Sequence, residues 1–432
     1  MVYNTEKVNT VNRLFALGSC GRAQRNTEKT QEELSMLSEK MLELGRRRSV
    51  IREIFSYGQA RKAEIGAENV FDFSLGNPSV PAPADVRDTL AALIADTDPA
   101  VLHGYTAATG DASVRRAIAE YIQKEHGCAA HPDDLYLTVG AAAALTIAFH
   151  AILSGGEEVI AFAPFFPEYK VFVEKAGGKL RVVPCREPAF IPTPDDLRAA
   201  LNENTAAVII NSPNNPTGAV LREADIRALT DVLREAEARY GHPIYLVADE
   251  PYRELVYGDI AVPFLPNYYD NTLVGYSFSK SLSLPGERIG YLLVSPTAGE
   301  RDALRAAIAG AGRALGFVCA PALFQYMIPA CLGKTSDVSI YAANRNRLYE
   351  ELTAYGFTCV PPDGAFYLFV KAPDGDANAF AEQAKRQELL LVPSDDFGVP
   401  GYVRIAYCVT PAMIERALPA FRRLAEEYRL GE

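Results

Sequence analysis

Histidine is scarce in this 432-residue chain, five in all, without the paired spacing of a metal site. That removes the obvious route to a metal enzyme. Seven cysteines (Cys20, Cys128, Cys185, Cys319, Cys331, Cys359, Cys408) stand far apart, with no CxxC pair and an odd total. Neither a disulfide framework nor a zinc site is suggested, and a reducing cytoplasm fits best. No apolar run reaches the roughly 18 residues that span a bilayer, so no membrane partner is expected. The patch from Leu14 to Leu17 is too short for a signal core. Leu17-Gly18-Ser19-Cys20 has the outline of a lipoprotein cleavage site but lacks the apolar stretch that should precede it. A basic surplus is also missing: the net charge is −11, which argues against a nucleic-acid surface. Internal repeats and low-complexity segments are not found.

With 49% hydrophobic and 22% charged residues, the chain can bury a large core and fill two domains. The first thirty or so residues are polar, and residues 1–45 read as a leader or arm. Met36 and Met41 lie just upstream of the first recognisable segment, which leaves an over-extended start codon open. Residues 32–61 read as helix from the spacing of Leu34, Leu37, Met41, Leu42 and Leu44. From Pro81 to Val294, helical stretches (111–125, 141–153, 222–239) alternate with short apolar runs (158–162, 207–211, 244–248, 273–276). Such alternation predicts an α/β fold with a mostly parallel sheet wrapped by helices. Beyond Ala320 the order changes to a long helical region, strands at 364–370 and 402–407, and a helix from Pro411, which predicts a smaller α+β domain. The expected division is a segment 46–80 that joins the small domain, a large domain 81–318 and a small domain 319–432.

The sharpest signal is Ser277-Phe278-Ser279-Lys280-Ser281-Leu282-Ser283-Leu284-Pro285-Gly286-Glu287-Arg288-Ile289-Gly290. A lysine follows an apolar strand, hydroxyls flank it, and an arginine comes eight residues later beside glycine. A nucleophilic amine needs a lowered pKa, and a nearby phosphate pocket needs a fixed cation and small hydroxyl donors. This segment resembles, position for position, the lysine signature of class I aminotransferases, the fold-type I family that uses pyridoxal 5'-phosphate. The resemblance implies that Lys280 carries the cofactor and that Ser277 and Arg288 hold its phosphate.

Further motifs share the resemblance, which covers about Val50 to Tyr428. In Val247-Ala248-Asp249-Glu250-Pro251-Tyr252 a strand ends in a carboxylate with a phenol three residues on. Read alone, such an aspartate is as readily a helix cap. The resemblance makes Asp249 the partner of the cofactor's ring nitrogen and Tyr252 a donor to its ring oxygen. Pro251 stands where the family commonly has an aliphatic residue, which affects only the local backbone. Asn211-Ser212-Pro213-Asn214-Asn215-Pro216-Thr217-Gly218 is a turn by composition, and the family places its asparagine, here Asn215, on the same ring oxygen. Thr138-Val139-Gly140-Ala141-Ala142 enters a helix whose unpaired amides suit an anion, so Gly140, Ala141 and Ala142 are carried over as phosphate contacts. Ala142 replaces a polar side chain common in the family. Pro164-Phe165-Phe166 offers Phe166 as a ring stacked on the cofactor, or simply as core. Tyr105 in His103-Gly104-Tyr105-Thr106 matches a tyrosine that reaches the phosphate of a neighbouring subunit, which implies a homodimer with shared sites.

Arg404, inside the apolar strand Tyr402-Val403-Arg404-Ile405-Ala406-Tyr407, is the candidate for the substrate α-carboxylate. Its planar fork suits a carboxylate, and burying it without an anion is costly. Gly364-Ala365-Phe366-Tyr367 is another family motif, and Gly76 in Leu75-Gly76-Asn77-Pro78 matches the loop that closes over that carboxylate. Together the motifs imply an aminotransferase moving an amino group from an L-amino acid to a 2-oxo acid by a ping-pong mechanism, with Lys280 as general base and acid. A C–S β-lyase of the same fold is the alternative, since fold does not fix reaction. A regulator fused to a DNA-binding module would need a winged helix, for which the region before Val50 is too short. No second arginine is assignable to a dicarboxylic side chain, and His103 or a group from the other subunit could substitute for one.

Overall fold

The computed structural model describes residues 37–46 and 49–431. The cleavage-site outline at Cys20, the question of the start codon at Met36 and the first part of the helix expected over 32–61 lie outside the described residues. The chain divides into two units, residues 1–49 and 50–432. In the first, helix Glu39–Arg46 exposes Met41, Leu42 and Leu44. The second begins with helix Val50–Ile65, so the expected single helix is two helices among the described residues. Residues 45–49, Gly-Arg-Arg-Arg-Ser, carry no apolar side chain, so the helical spacing stops at Leu44 and resumes at Val50.

The described residues of the second unit carry thirteen strands: β1 Phe71–Asp72, β2 Leu135–Thr138, β3 Glu158–Ala163, β4 Lys179–Pro184, β5 Thr205–Asn211, β6 Tyr245–Asp249, β7 Thr272–Ser277, β8 Gly290–Val294, β9 Cys359–Val360, β10 Tyr367–Lys371, β11 Leu389–Leu390, β12 Val392–Pro393 and β13 Tyr402–Ala406. Seven of them form one sheet in the order β2-β8-β7-β6-β5-β3-β4. Only β8 runs against the rest, pairing antiparallel with both β2 and β7.

Both faces of this sheet are apolar because both are covered. Along β3, Ile160 and Phe162 enter one core while Val159 and Ala161 enter another, and β5 alternates likewise. Side-chain period two sends successive residues to opposite faces. Helices Ala112–His126 and Glu223–Tyr240 fill the first core, and helices Ala141–Ile152 and Glu168–Lys175 fill the second. Their ends follow local chemistry. Asp111 accepts from the amides of Ser113 and Val114, and Gly127 closes the same helix at φ 68°.

A smaller antiparallel sheet, β12-β13-β10-β9, has its own core with helices Val338–Ala354 and Pro411–Glu427. β1 pairs in parallel with β11, Phe71 opposite Leu389. The α/β architecture with a smaller second sheet is therefore the one expected.

Candidate active site

Strands β2, β3, β5, β6 and β7 run the same way, so their carboxyl ends open on one edge of the sheet. Ligands of open α/β sheets bind in the crevice beyond such ends. The segments leaving these five strands carry, in order, Gly140, Phe166, Asn215, Tyr252 and Lys280. Five motifs from 140 residues of chain thus share one edge because parallel strands repeat their direction.

Register refines the grouping. Asn211 stands opposite Asp249 where β5 pairs with β6, and its amide nitrogen donates to the Asp249 carbonyl at 2.8 Å. The Asp249 carboxylate is 5% exposed. Tyr169 Oη donates to its Oδ2, with Asn211 Nδ2 at 3.4 Å, while Oδ1 is buried without a partner. Burial pushes the Asp249 pKa up to about 7, the Tyr169 hydrogen bond lowers it, and Glu250 raises it. A cation beside Oδ1 would restore the carboxylate.

Lys280 lies in the one-turn helix Phe278–Ser281, capped by Ser277, whose Oγ accepts from the Ser279 amide. The Lys280 Nζ donates to the Gly76 carbonyl at 2.5 Å and sits 5.3 Å from the Phe366 ring centroid. Burial depresses its pKa to about 8, and Arg404 and Arg288 push the same way. A lysine so placed supplies a neutral, nucleophilic amine close to neutral pH.

Arg288 reaches the entrance of the helix that starts at Ala141. Gly140 caps that helix at φ 88° without a side-chain bond, leaving first-turn amides open. A Cβ on Gly140 would lie 2.7 Å from Arg288 Nη2, so only glycine allows the guanidinium this near the amides. Guanidinium and helix N-terminus together form a cradle for an anion. Ala141 begins the helix and Ala142 is exposed.

Arg404 comes from the smaller sheet, between Val392 and Phe369. It is 2% exposed, with Tyr367 and Phe397 rings 4.5 and 5.2 Å from its guanidinium carbon. Its Nη1 donates to Asn215 Oδ1 at 3.1 Å and Nη2 to the Ser74 carbonyl at 2.6 Å, while Nε is buried without a partner. Among the described residues no carboxylate pairs with it. A buried cation held only by neutral acceptors is complementary to an anion. Tyr252 Oη lies 2.9 Å from Tyr367 Oη, and a Cβ on Gly76 would meet that same Tyr367 oxygen at 2.1 Å. Lys280, Gly76, Tyr367, Tyr252, Arg404 and Asn215 therefore form a continuous group.

Phe166 is half-buried and packs edge-on against Tyr169 with centroids 5.8 Å apart. Tyr105 does not join the group within this chain: its side chain is 99% exposed. Sequence reasoning left Tyr169 and Tyr367 unassigned. Tyr367 ended a motif already singled out and Tyr169 lies three residues beyond Phe166, but only the fold shows which groups their hydroxyls meet.

Residues 68–421 match the sequence model of the family "Aminotransferase class I and II". The chain belongs to that family. It is 30% identical over 362 residues to an aspartate/prephenate aminotransferase of Thermus thermophilus, covering 81% of this chain and 89% of the relative. Among solved structures it resembles an aminotransferase from Eubacterium rectale, at 53% identity and a TM-score of 0.89, over 91% of this chain and 99% of that one. It also resembles the Thermus thermophilus aspartate aminotransferase with maleate, at 27% identity and a TM-score of 0.80, over 90% and 100% of the two chains. The protein is thus an aminotransferase, an enzyme that transfers amino groups between amino and oxo acids, and the C–S β-lyase alternative is not favoured. Its family depends on pyridoxal phosphate, and the orphaned Asp249 Oδ1, the cradle at Gly140 and the depressed Lys280 amine fit that cofactor.

Proposed function

We propose that the edge of the large sheet holds pyridoxal 5'-phosphate and that Arg404 receives the α-carboxylate of an L-amino acid, which yields its amino group to a 2-oxo acid in a ping-pong cycle. The observation that carries this reading is Arg404, a buried guanidinium with an unpartnered Nε and only neutral acceptors. Lys280 is the residue that would hold the cofactor covalently. Asp249 would keep the ring nitrogen charged, and Tyr252 and Asn215 would meet the ring oxygen. Phe166 would pack on the ring, while Ser277, Arg288 and the amides from Gly140 to Ala142 would bind the phosphate. When bound, the cofactor supplies a sink for the electrons left as a bond to the substrate α-carbon breaks. The Lys280 amine, when free, would accept the substrate α-proton at Nζ and later return it. The Gly76 segment, which reaches both Lys280 and Tyr367, shields that proton from water.

A homodimer would complete the phosphate site with Tyr105 of the second copy. Its full exposure supports this, as does its neighbourhood: Cys319 bonds to the Thr106 and Ala108 carbonyls, which places exposed Val318 on the same surface. The proposed division is a segment 46–80 that joins the small domain, a large domain 81–318 and a small domain 319–432; the seven-stranded sheet within 135–294 and the four-stranded sheet within 359–406 support it. A cytoplasmic location agrees with six described cysteines that are all free thiols, and no described helix is long and apolar enough to cross a membrane.

The relatives' names suggest aspartate and prephenate as first substrates to try, and the family implies glutamate and 2-oxoglutarate as one pair. A panel of amino donors and oxo acceptors tests the proposal. Parallel initial-velocity lines and no pyruvate from cystathionine are expected. Rapid pyruvate release with no amino transfer would overturn it.

A further inference from the structure

A second hydrogen-bonded group lies next to Lys280 and takes no part in the scheme above. Tyr276, the penultimate residue of β7, donates from Oη to Glu254 Oε1 at 2.7 Å and stands 3.0 Å from Ser281 Oγ. A phenol has one proton. Having given it to Glu254, Tyr276 accepts from Ser281, so the bonds run as a chain from Ser281 to Tyr276 to Glu254. One end follows Lys280 directly in sequence, and the other shares the turn 251–254 with Tyr252. The Tyr276 ring is held by stacking on Tyr291, with centroids 4.9 Å apart, and by the edge of Phe278 at 5.0 Å. The Ser281 carbonyl accepts from the Ser336 amide at 2.7 Å, which fixes the far side of the lysine turn. Nearby, Arg253 is paired with Glu250, and Tyr276 donates to Glu254 Oε1, while Glu254 Oε2 is buried without a partner among the described residues.

We propose that Tyr276 is a positioning residue which, through Glu254 and Ser281, sets the Lys280 turn against the Tyr252 turn. The inference rests on Lys280 being the cofactor lysine. A lysine that alternately binds and leaves its cofactor must return to one place. The β6–β7 ladder ends with the Glu250 amide donating to the Gly275 carbonyl at 2.9 Å, and beyond it the bonds from Ser281 through Tyr276 to Glu254 join the two turns.

The test uses the cofactor-loaded enzyme. Tyr276→Phe keeps the stacked ring and loses the hydroxyl. It should lower kcat about tenfold, the scale of one hydrogen bond lost from the network that holds the lysine turn, leave KM within about twofold and shift the pH midpoint of the bound cofactor's absorbance. Glu254→Gln retains an acceptor oxygen and should stay near wild type, whereas Glu254→Leu should reproduce the Tyr276→Phe loss. Unchanged kcat and midpoint in Tyr276→Phe would overturn the proposal, as would equal damage in the Gln and Leu variants or a fall in melting temperature with normal kcat per loaded site. Turnover by Lys280→Ala would instead overturn the lysine assignment, so the two failures are separable.

Discussion

Arg404 Nη1 donates to Asn215 Oδ1 across 189 positions of sequence, at 3.1 Å. This bond joins a strand of the small sheet to the loop that follows β5 of the large one. In the proposed function, the groups that would meet the substrate carboxylate and the cofactor ring are therefore already bonded to each other.

Because that recognition needs a planar fork, Arg404→Lys should lower kcat/KM for the amino donor about a hundredfold, mostly through KM. Steady-state kinetics with saturating oxo acid checks it. A wild-type KM would show that the carboxylate binds elsewhere.

Tyr169 donates to Asp249 and favours its charged form. Tyr169→Phe removes the donor, raises the Asp249 pKa and should move the acidic limb of the kcat/KM profile to higher pH. In the proposed function the carboxylate is the active form, so activity is expected to be lost earlier as pH falls. An unmoved limb would separate Asp249 from the pH dependence.

Lys280 has a pKa of about 8 in the fold and near 10.4 in an unfolded chain. Between these values the unfolded state binds more protons, so this group's contribution to stability rises with pH over that window. Below pH 8 the buried charge is a cost. Cofactor-free Lys280→Met should melt above the cofactor-free wild type at pH 7, with the gap closing by about pH 10, as followed by differential scanning calorimetry.

Gly76→Ala would place a methyl 2.1 Å from Tyr367 Oη, which is itself bonded to Tyr252. A destabilisation of about 1–3 kcal/mol is expected, with reduced turnover. Tyr367→Phe in the same chain should restore part of both, because the clashing oxygen is gone. Equal effects in the single and double variants would show that the clash is relieved elsewhere.

Much of this arrangement was readable before the fold was known. The Lys280, Asp249, Asn215 and Arg404 motifs each sit at a strand or just past one, and strand ends are marked by the change from apolar runs to Gly, Pro and Asn. Parallel order then gathers them without further instruction. Less visible was what each group bonds to. Tyr169 lies on a helix beside the motif that offered Phe166, yet its hydroxyl belongs to Asp249, 80 residues away. The Tyr252–Tyr367 contact spans 115 residues. Such pairings depend on the docking of two sheets, which local composition does not encode.

The Ser74 and Gly76 carbonyls bond to Arg404 and Lys280, and β1 beside them pairs with β11. During synthesis these early residues emerge from the ribosome hundreds of positions before their partners. Until residue 404 is made, the Ser74 carbonyl lacks its guanidinium partner. A nascent chain stopped after β8 holds all seven strands of the large sheet and the lysine turn, but it lacks Arg404 and the large-core residues Ala320, Met327 and Ile328. Vectorial synthesis thus delivers the proposed lysine site first and the proposed carboxylate site last.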